Sequence, residues 1–184
     1  MKLVVLDRDG VVNEDRGAPI TDPDDWVPLP GSLDAIGRLH QAGIAVAVAT
    51  NQSGIARGLL DIEQLHAVHR RMHEAVAKHG GKLDLVVFCP HAESTECDCR
   101  KPAPGMLYTI GERLDIELTE TTCIGDSLRD VQAAMAAAAR PGIVRTGKGQ
   151  KTLDSNKGLE HIPAWDDLAS CVDALLAGDA EGGR

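Results

Sequence analysis

The chain has 184 residues, a formal net charge of −9 and an apolar share of 43%. This length accommodates one α/β domain with a hydrophobic core and is too short for two independent domains. With only two Trp, one Tyr and one Phe, the chain is a poor candidate for stacking single-stranded nucleic acid, and its acidic charge disfavours nucleic acid and anionic membranes.

Targeting segments and disulfides are not expected either. No stretch approaches the roughly 20 apolar residues of a membrane span, and the first residues enter a predicted strand at once, which argues against a signal peptide. The five cysteines are odd in number, and their spacing is not that of a disulfide framework. We expect a cytoplasmic monomer that binds a small molecule and neither nucleic acid nor membranes.

The predicted elements alternate between apolar strands and helices, which indicates a mainly parallel sheet covered on both faces. Strands are predicted at 3–6, 44–49, 83–88, 122–124 and 142–144. Helices are predicted after a Ser32 cap as far as Gly43, at 61–79, at 104–114, after a Ser127 cap to about 139, and at 165–176. We expect a Rossmann-like three-layer α/β domain at 1–177, without a large cap domain, and a disordered tail at 178–184.

Three segments have less regular patterns. Residues 11–31 contain four prolines and five acidic residues, which predicts a loop or flap over the end of the first strand. Residues 140–157 are basic, and a solvated flexible loop and a phosphate-facing loop are equally compatible with them. His69 and His73 lie four residues apart on a predicted helix, but without a third ligand nearby we interpret them as histidines at the edge of a packed face.

Polar residues follow four of the predicted strands. In chain order they are Asp7 with Asp9, Thr50 with Asn51, a cysteine cluster that begins at Cys89, and Asp126. In parallel α/β sheets ligands bind beyond the carboxyl ends of the strands, so we expect these clusters to converge on one rim. Carboxylates gathered there repel one another and any phosphate by about 4 kcal/mol per unit pair at 4 Å and a dielectric near 20, so a cation is needed. Oxygen ligands without a nearby histidine favour Mg²⁺.

This arrangement predicts phosphoryl transfer. With Mg²⁺ in place, one aspartate can attack phosphorus and form an aspartyl phosphate. The second can protonate the leaving oxygen and later activate water if its neighbours raise its pKa. Arg100 and Lys101 follow the cysteine cluster and can supply fixed positive charge to the phosphoryl group.

The cysteine cluster has the composition of a structural zinc site. Cys89, His91, Cys97 and Cys99 place three thiols and one imidazole within eleven residues, which matches a closed tetrahedral Zn²⁺ centre. Incidental reduced thiols are the alternative interpretation. Because the ligands directly precede Arg100, the metal is expected to stabilise the loop that aims the two cations.

Four stretches resemble phosphatases of the haloacid dehalogenase superfamily, in the order of that family. They are Asp7-Arg8-Asp9-Gly10, Ala49 to Gly54, Cys99 to Pro102, and Ile124 to Asp130. The resemblance implies that Asp7 is the nucleophile and Asp9 the general acid/base. It further implies that Mg²⁺ is held by the Asp7 side chain, the Asp9 main-chain carbonyl and Asp126, and that Thr50 and Lys101 stabilise the phosphoryl group.

Within the superfamily, the cysteine-histidine loop is similar to two groups of phosphatases, which act on heptose 1,7-bisphosphate and on histidinol phosphate. The heptose group is matched better through 51–58 and 145–149, and a neutral Ser53 suits a sugar with a second phosphate better than a cationic amine. The resemblance therefore implies hydrolysis of the C7 phosphate of heptose 1,7-bisphosphate. The substrate contacts it implies are Asp15, Arg16, Gly17, Ala18, Asn51, Gln52, Ser53, Arg57 and Arg100.

Several alternatives stay open. Histidinol phosphate is the second substrate, and the α-bisphosphate of GDP-heptose synthesis competes with the β-bisphosphate that leads to ADP-heptose and lipopolysaccharide. An alternative from a different class of protein is a zinc-loop binding module, in which the aspartates are structural. One position departs from the heptose group, because Ser127 stands where many of those enzymes have a lysine.

Overall fold

The computed structural model describes residues 1–155 and 158–178. Lys157 and most of the predicted tail, 179–184, lie outside the described residues. One sheet contains the strands β1 (Leu3–Leu6), β2 (Ala45–Asn51), β3 (Leu85–Cys89), β4 (Thr121–Gly125), β5 (Arg140–Val144) and β6 (Ala164–Trp165). All neighbouring strands are parallel, in the order β3-β2-β1-β4-β5-β6. This order reverses between β1 and β4, and such a switch point is where ligands bind in these folds.

Helices cover both faces of the sheet. They are α1 (Ser32–Gln41), α2 (Ile62–Lys78), α3 (Gly105–Leu114), α4 (Leu128–Ala136), α5 (Gly149–Ser155) and α6 (Leu168–Ala177), with short 3-10 helices at Pro23–Asp25 and Leu118–Glu120. Across 1–155 and 158–178, no helix has both the length and the apolar character needed to cross a bilayer.

Strand β1 divides its side chains between two cores. Successive side chains of a strand point to opposite faces, so Val4 and Leu6 pack with α1, α2 and α6, whereas Leu3 and Val5 pack with α3 and α4. All four residues are buried, as expected for a central strand of a parallel sheet. The three-layer α/β architecture expected from the sequence is confirmed.

Capping boxes define the start of three helices. Asp61 and Gln64 form one at α2, Ser127 and Asp130 one at α4, and Asp167 and Ser170 one at α6. In each pair two backbone N–H groups that lack helical partners are satisfied reciprocally.

The predicted cap at Ser32 is wrong. Gly31 occupies the N-cap position with φ +76° and makes no side-chain cap bond, and Ser32 is the first helical residue. The Ser32 hydroxyl donates instead to the Val11 carbonyl oxygen over 2.8 Å. The serine therefore ties the flap at 11–31 to α1.

The basic segment also differs from prediction. The strand predicted at 142–144 is confirmed as β5, which begins two residues earlier, at Arg140. The flexible loop is wrong where α5 forms, and this helix is too short to show a clear period in the sequence. Helix α4 ends at Ala136, short of 139. The last helix begins at Leu168, because Trp165 belongs to β6 at the sheet edge.

Candidate active site

The carboxyl ends of the central strands open into a cleft of about 790 Å³, open solvent included. Asp7 follows β1, Thr50 lies in β2 and Asp126 follows β4, so the parallel sheet carries all three to one edge. Lys101 reaches the same cleft from the segment between β3 and α3. The structure thus brings together the residues that the strand-end pattern predicts.

Lys101 lies at the centre of this site. Its ammonium is 3.0 Å from Asp7 Oδ1 and 2.5 Å from Asp130 Oδ1, and it donates to the Ala49 carbonyl oxygen over 2.8 Å. Burial lowers the pKa of Lys101, but Asp130 and Asp7 outweigh burial and raise it. The lysine is therefore a fixed cation beside Asp7.

Asp130 is a site residue to which the sequence pattern gives no role. It is buried, and besides Lys101 it accepts hydrogen bonds from the Ser127 backbone N at 3.0 Å and the Ser127 hydroxyl at 2.5 Å. Burial raises the pKa of Asp130, yet the Lys101 charge and these donors hold it below its usual value. The sequence signals for it are its position three residues after a helix-capping serine and its place at the end of the fourth resembling stretch, Ile124 to Asp130.

The negative charges of the other two deep carboxylates, Asp7 and Asp126, are only partly compensated. Burial raises the pKa of Asp7 to about 7, against the opposing effect of Lys101, and burial raises the pKa of Asp126 to about 6. Oxygens of Asp7, Asp126 and Asp130 lie within 4.8 Å of one another. Because Asp130 is already bound to Lys101 and Ser127, the carboxylates whose negative charge is least neutralised are Asp7 and Asp126. Buried oxygen donors with excess negative charge fit a divalent cation such as Mg²⁺.

The carboxylate of Asp9 is surrounded by donors. Arg8 binds it through Nε at 3.1 Å and Nη2 at 2.9 Å, Asn13 Nδ2 donates over 2.9 Å, and Gln52 Nε2 donates over 3.1 Å. Arg8 is only 1% exposed. Arg8 and Asn13 are therefore supporting residues that the strand-end pattern does not identify, because their role depends on side-chain direction.

A turn after β5 closes over Asp126. Lys148 N donates to Asp126 Oδ2 over 2.8 Å, and the Thr146 hydroxyl donates to the Gly10 carbonyl oxygen over 2.6 Å. Gly10 and Gly147 have φ of +86° and +57°, and a Cβ on either would overlap the Asp126 carboxylate. Both positions therefore need glycine, for conformation and for space.

Most of the predicted substrate contacts line the cleft. They are Asp15, Gly17, Ala18, Asn51, Gln52, Ser53 and Arg57. Arg16 and Arg100 are not part of its lining; Arg16 pairs with Asp25 at 2.9 Å and Arg100 with Glu93 at 2.8 Å.

Two cations that were not predicted as substrate contacts do line the cleft. Arg129 lies in the first turn of α4 and is 3.3 Å from Glu93, and the Lys148 ammonium is 2.5 Å from Asp15. The sequence signals for Lys148 are the basic composition of 140–157 and its place in 145–149, one of the stretches that resemble the heptose group. Positive charge at the rim therefore comes from three segments that are distant in sequence, those of Arg57, Arg129 and Lys148.

The cysteine loop has the geometry of a tetrahedral metal site. Cys99 Sγ is 3.2 Å from Cys89 Sγ and 3.3 Å from His91 Nδ1, and Cys89 Sγ is 3.9 Å from Cys97 Sγ. The edge of a zinc-thiolate tetrahedron is about 3.8 Å for Zn–S bonds of about 2.3 Å. The four donor atoms lie within 4.8 Å of one another, so this loop fits Zn²⁺.

Comparison with known proteins agrees with the cleft chemistry. The model of the haloacid dehalogenase-like hydrolase family matches residues 4–138. A protein of Bordetella bronchiseptica named D-glycero-beta-D-manno-heptose-1,7-bisphosphate 7-phosphatase is 50% identical, over 96% of this chain and 98% of its own length. A protein of the same name from Pseudomonas aeruginosa is 51% identical, over 95% of this chain and 97% of its own.

Solved structures give the same relationship. The crystal structure of D,D-heptose 1,7-bisphosphate phosphatase from B. bronchiseptica with magnesium and phosphate has a TM-score of 0.93 and 49% identity, and the match covers 97% of this chain and 99% of that one. The corresponding enzyme from Burkholderia thailandensis has a TM-score of 0.76 at 46% identity, covering 96% and 99% of the two chains. The resemblance inferred from four short motifs is confirmed, and the chain belongs to the haloacid dehalogenase-like hydrolases.

Proposed function

We propose that this chain hydrolyses the C7 phosphate of D-glycero-β-D-manno-heptose 1,7-bisphosphate through an aspartyl phosphate. The observation that carries the proposal is Asp7 held against the buried ammonium of Lys101 in a cleft rimmed by further cations. Near 50% identity over almost the whole length of relatives named for this reaction supports the substrate. The name of those relatives favours the β anomer, the ADP-heptose branch of surface-sugar synthesis.

The chain's own groups suffice for the bond changes. An Asp7 oxygen forms a bond to phosphorus while the bond from phosphorus to the C7 oxygen breaks, and Asp9 gives its proton to that oxygen. Asp9 then takes a proton from water, which attacks the aspartyl phosphate, releases phosphate and regenerates Asp7. Lys101 and the Thr50 hydroxyl stabilise the charge on the phosphoryl oxygens throughout.

Two metals complete the proposal. The Asp7 and Asp126 side chains and the Asp9 main-chain carbonyl would hold Mg²⁺, which supplies charge neutralisation for the phosphoryl group. Cys89, His91, Cys97 and Cys99 would hold a structural Zn²⁺. The magnesium and phosphate named for the B. bronchiseptica structure support the first assignment, and the donor spacing in the loop supports the second.

The phosphate that is not hydrolysed needs its own cations. Lys101 is buried between two carboxylates, whereas Arg57 is exposed at the rim and the side chains of Arg129 and Lys148 are 43% and 57% exposed. We assign the C1 phosphate to these three residues. They supply the positive charge that Ser127, in place of a lysine, does not.

We also propose a monomer that works in the cytoplasm. All five cysteines are free thiols, which is typical of a reducing compartment. Gel filtration with light scattering measures the mass in solution, and a stable dimer would contradict this part of the proposal.

A substrate panel tests the function. Both anomers of heptose 1,7-bisphosphate and histidinol phosphate are compared at equal enzyme concentration by phosphate release, and we expect the highest kcat/KM on the β-bisphosphate. A preference for histidinol phosphate would overturn the substrate assignment.

Asp7→Asn should lose at least about a thousandfold in kcat, because removing a covalent nucleophile leaves only binding and electrostatic catalysis. Substantial residual turnover would exclude Asp7 as nucleophile.

A further inference from the structure

His69 on α2 is a buried histidine that has no direct part in the proposed reaction. It is 7% exposed, and its Nε2 lies 3.4 Å from Nη1 of Arg8. His73, one turn further along the same helix, is exposed. The two histidines that look alike in the sequence therefore have different surroundings.

Arg8 explains why an acceptor is needed at this place. Its guanidinium has N–H donors on all three nitrogens and no acceptor. Nε and Nη2 are used by Asp9, and Nη1 faces His69. A buried donor without a partner costs about 1–3 kcal/mol, so an arginine that is 1% exposed keeps this orientation only if Nη1 also finds an acceptor.

The imidazole is suited to accept. Burial, followed by the charge of Arg8, lowers the pKa of His69 to about 3, so the ring is neutral and Nε2 carries a lone pair when Nδ1 carries the proton. The ring also contacts Phe88 of β3 edge-on, with centroids 6.1 Å apart. Phe88 is the partner of Thr50 in the sheet, so the contact fixes the ring relative to the catalytic edge.

We propose that His69 is a positioning residue that holds the Arg8 guanidinium and, through it, orients the Asp9 carboxylate for proton transfer to the leaving oxygen. The inference rests on the proposed function in that Asp9 is taken as the general acid/base. A purely structural histidine would affect stability or all substrates alike. A positioning histidine affects the substrates that need a proton.

Two substrates separate these roles. A sugar phosphate has a poor leaving group that needs the proton of Asp9, whereas the nitrophenolate of p-nitrophenyl phosphate departs without one. We expect His69→Leu to lower kcat/KM for heptose 1,7-bisphosphate about tenfold, a part of the 10²–10⁴ typical of general acid catalysis. The loss on p-nitrophenyl phosphate should stay below about threefold, since its cleavage takes no proton in the first step.

The controls are matched in residue type and helix. His69→Gln keeps an acceptor and should recover most of the activity, and His73→Leu should behave as wild type on both substrates. Equal losses on both substrates, or an unchanged His69→Leu enzyme, would overturn the proposal. If the wild type hydrolyses p-nitrophenyl phosphate but not heptose bisphosphate, the substrate assignment fails; the His69 test then uses an alkyl phosphate that the enzyme does accept.

A spectroscopic measurement gives a readout that does not depend on activity. In nitrogen-15 NMR of histidine-labelled protein, the imidazole signals that are lost in His69→Gln identify His69, and in the wild type they should be those of a neutral ring protonated on Nδ1 between pH 5 and 8. An imidazolium, or a proton on Nε2, would leave no lone pair facing Arg8 and would overturn the proposal.

Discussion

The lysine and arginine residues of the cleft differ in role according to how deeply they are buried. Lys101 is bound to Asp7 and Asp130 and to a backbone carbonyl, so its charge is already balanced and its position is fixed. Arg129 instead faces the exposed carboxylate of Glu93, and Lys148, itself 57% exposed, faces the half-buried carboxylate of Asp15. Ion pairs at such positions contribute little to stability, so these cations are available to an anionic substrate.

The rim cations are expected to set the affinity for a bisphosphate. Lys148→Met should raise KM for heptose 1,7-bisphosphate about tenfold, which is the loss of one partly exposed charged contact worth ~1.4 kcal/mol. Asp126 should stay in place, because Lys148 donates to it through the backbone N, which the variant retains. Steady-state kinetics on the bisphosphate and on heptose 7-phosphate, which lacks the second phosphate, measure the difference.

The control for this variant is Lys151→Met, which removes an exposed lysine from the adjacent helix, outside the cleft lining. We expect it to leave KM unchanged. A KM increase of the same size on heptose 7-phosphate would contradict the assignment of Lys148 to the second phosphate.

At the scale of elements, the loop from Cys89 to Cys99 is held by its metal ligands and by few other contacts, among them backbone bonds from Gln52 N to the Cys89 carbonyl oxygen and from Ala56 N to the Pro90 carbonyl oxygen. It contains no helix or strand after Cys89, and a single backbone bond, from Gly105 N to the Asp98 carbonyl oxygen at 2.8 Å, ties its end to α3. Lys101 lies between that bond and Cys99. The Lys101 backbone is also held by Asn51, whose side chain donates to the Lys101 carbonyl oxygen and accepts from the Lys101 N over 3.1 Å each. This loop and Asn51 therefore position the ammonium together.

Removal of one zinc ligand tests this link. Cys97→Ser should lower bound zinc from about one equivalent to a small fraction, because three ligands leave a structural site open. We expect a lower Tm and a lower kcat that added Mg²⁺ does not restore. Metal analysis by mass spectrometry, thermal unfolding and kinetics measure the three effects.

A thiol elsewhere provides the comparison. Cys171→Ala removes a buried cysteine of α6 and should leave the zinc content unchanged. Full activity in zinc-free protein would contradict a role of the metal in placing Lys101.

Elements with strong local sequence signals were predictable, and elements with weak local signals were not. Strand β1 is an unbroken apolar run, and α2 has both a regular period and its cap at Asp61. Strand β6 has two residues and forms only because Val144 of β5 offers a free edge for Trp165. Helix α5 is fixed by contacts of its preceding turn with Asp126 rather than by its own pattern.

At the scale of the whole molecule, the parallel sheet explains why the site could be predicted in outline. Strands that run the same way end at the same edge, so Asp7, Thr50 and Asp126 had to meet once the alternation of strands and helices was recognised. Contacts that depend on side-chain direction were not predictable, such as the pairing of Lys101 with Asp130 or of Arg8 with His69. Both are tertiary contacts between elements far apart in the chain.

Burying these carboxylates close together lowers the free energy of unfolding of the metal-free protein. The pKa values of Asp7 and Asp126 rise from 3.8 to about 7 and about 6. Between the usual and the raised values the folded state binds more protons than the unfolded state, so the free energy of unfolding falls as pH rises from about 4 to about 7. Bound Mg²⁺ would offset this cost by neutralising the same charges.

Asp126→Asn should therefore stabilise the metal-free protein while it removes activity. The variant keeps a side-chain carbonyl for Lys148 N, and at pH 8 its free energy of unfolding should exceed that of the wild type by up to about 3 kcal/mol, at 1.36 kcal/mol per pKa unit. At pH 4 the two proteins should be equally stable. Urea unfolding in magnesium-free buffer without chelator, which leaves zinc in place, measures both values.

Magnesium should reverse the order of stability. Wild type should gain stability with rising Mg²⁺, as any ligand that binds only the folded state requires, and Asp126→Asn should gain little because it has lost a ligand. Asp24→Asn, which alters an exposed carboxylate of the flap, should follow the wild type at every pH and Mg²⁺ concentration. If Asp126→Asn were no more stable than wild type at pH 8, burial of the Asp126 charge would not destabilise the metal-free fold. If the variant responded to Mg²⁺ as wild type does, Asp126 would not be a magnesium ligand.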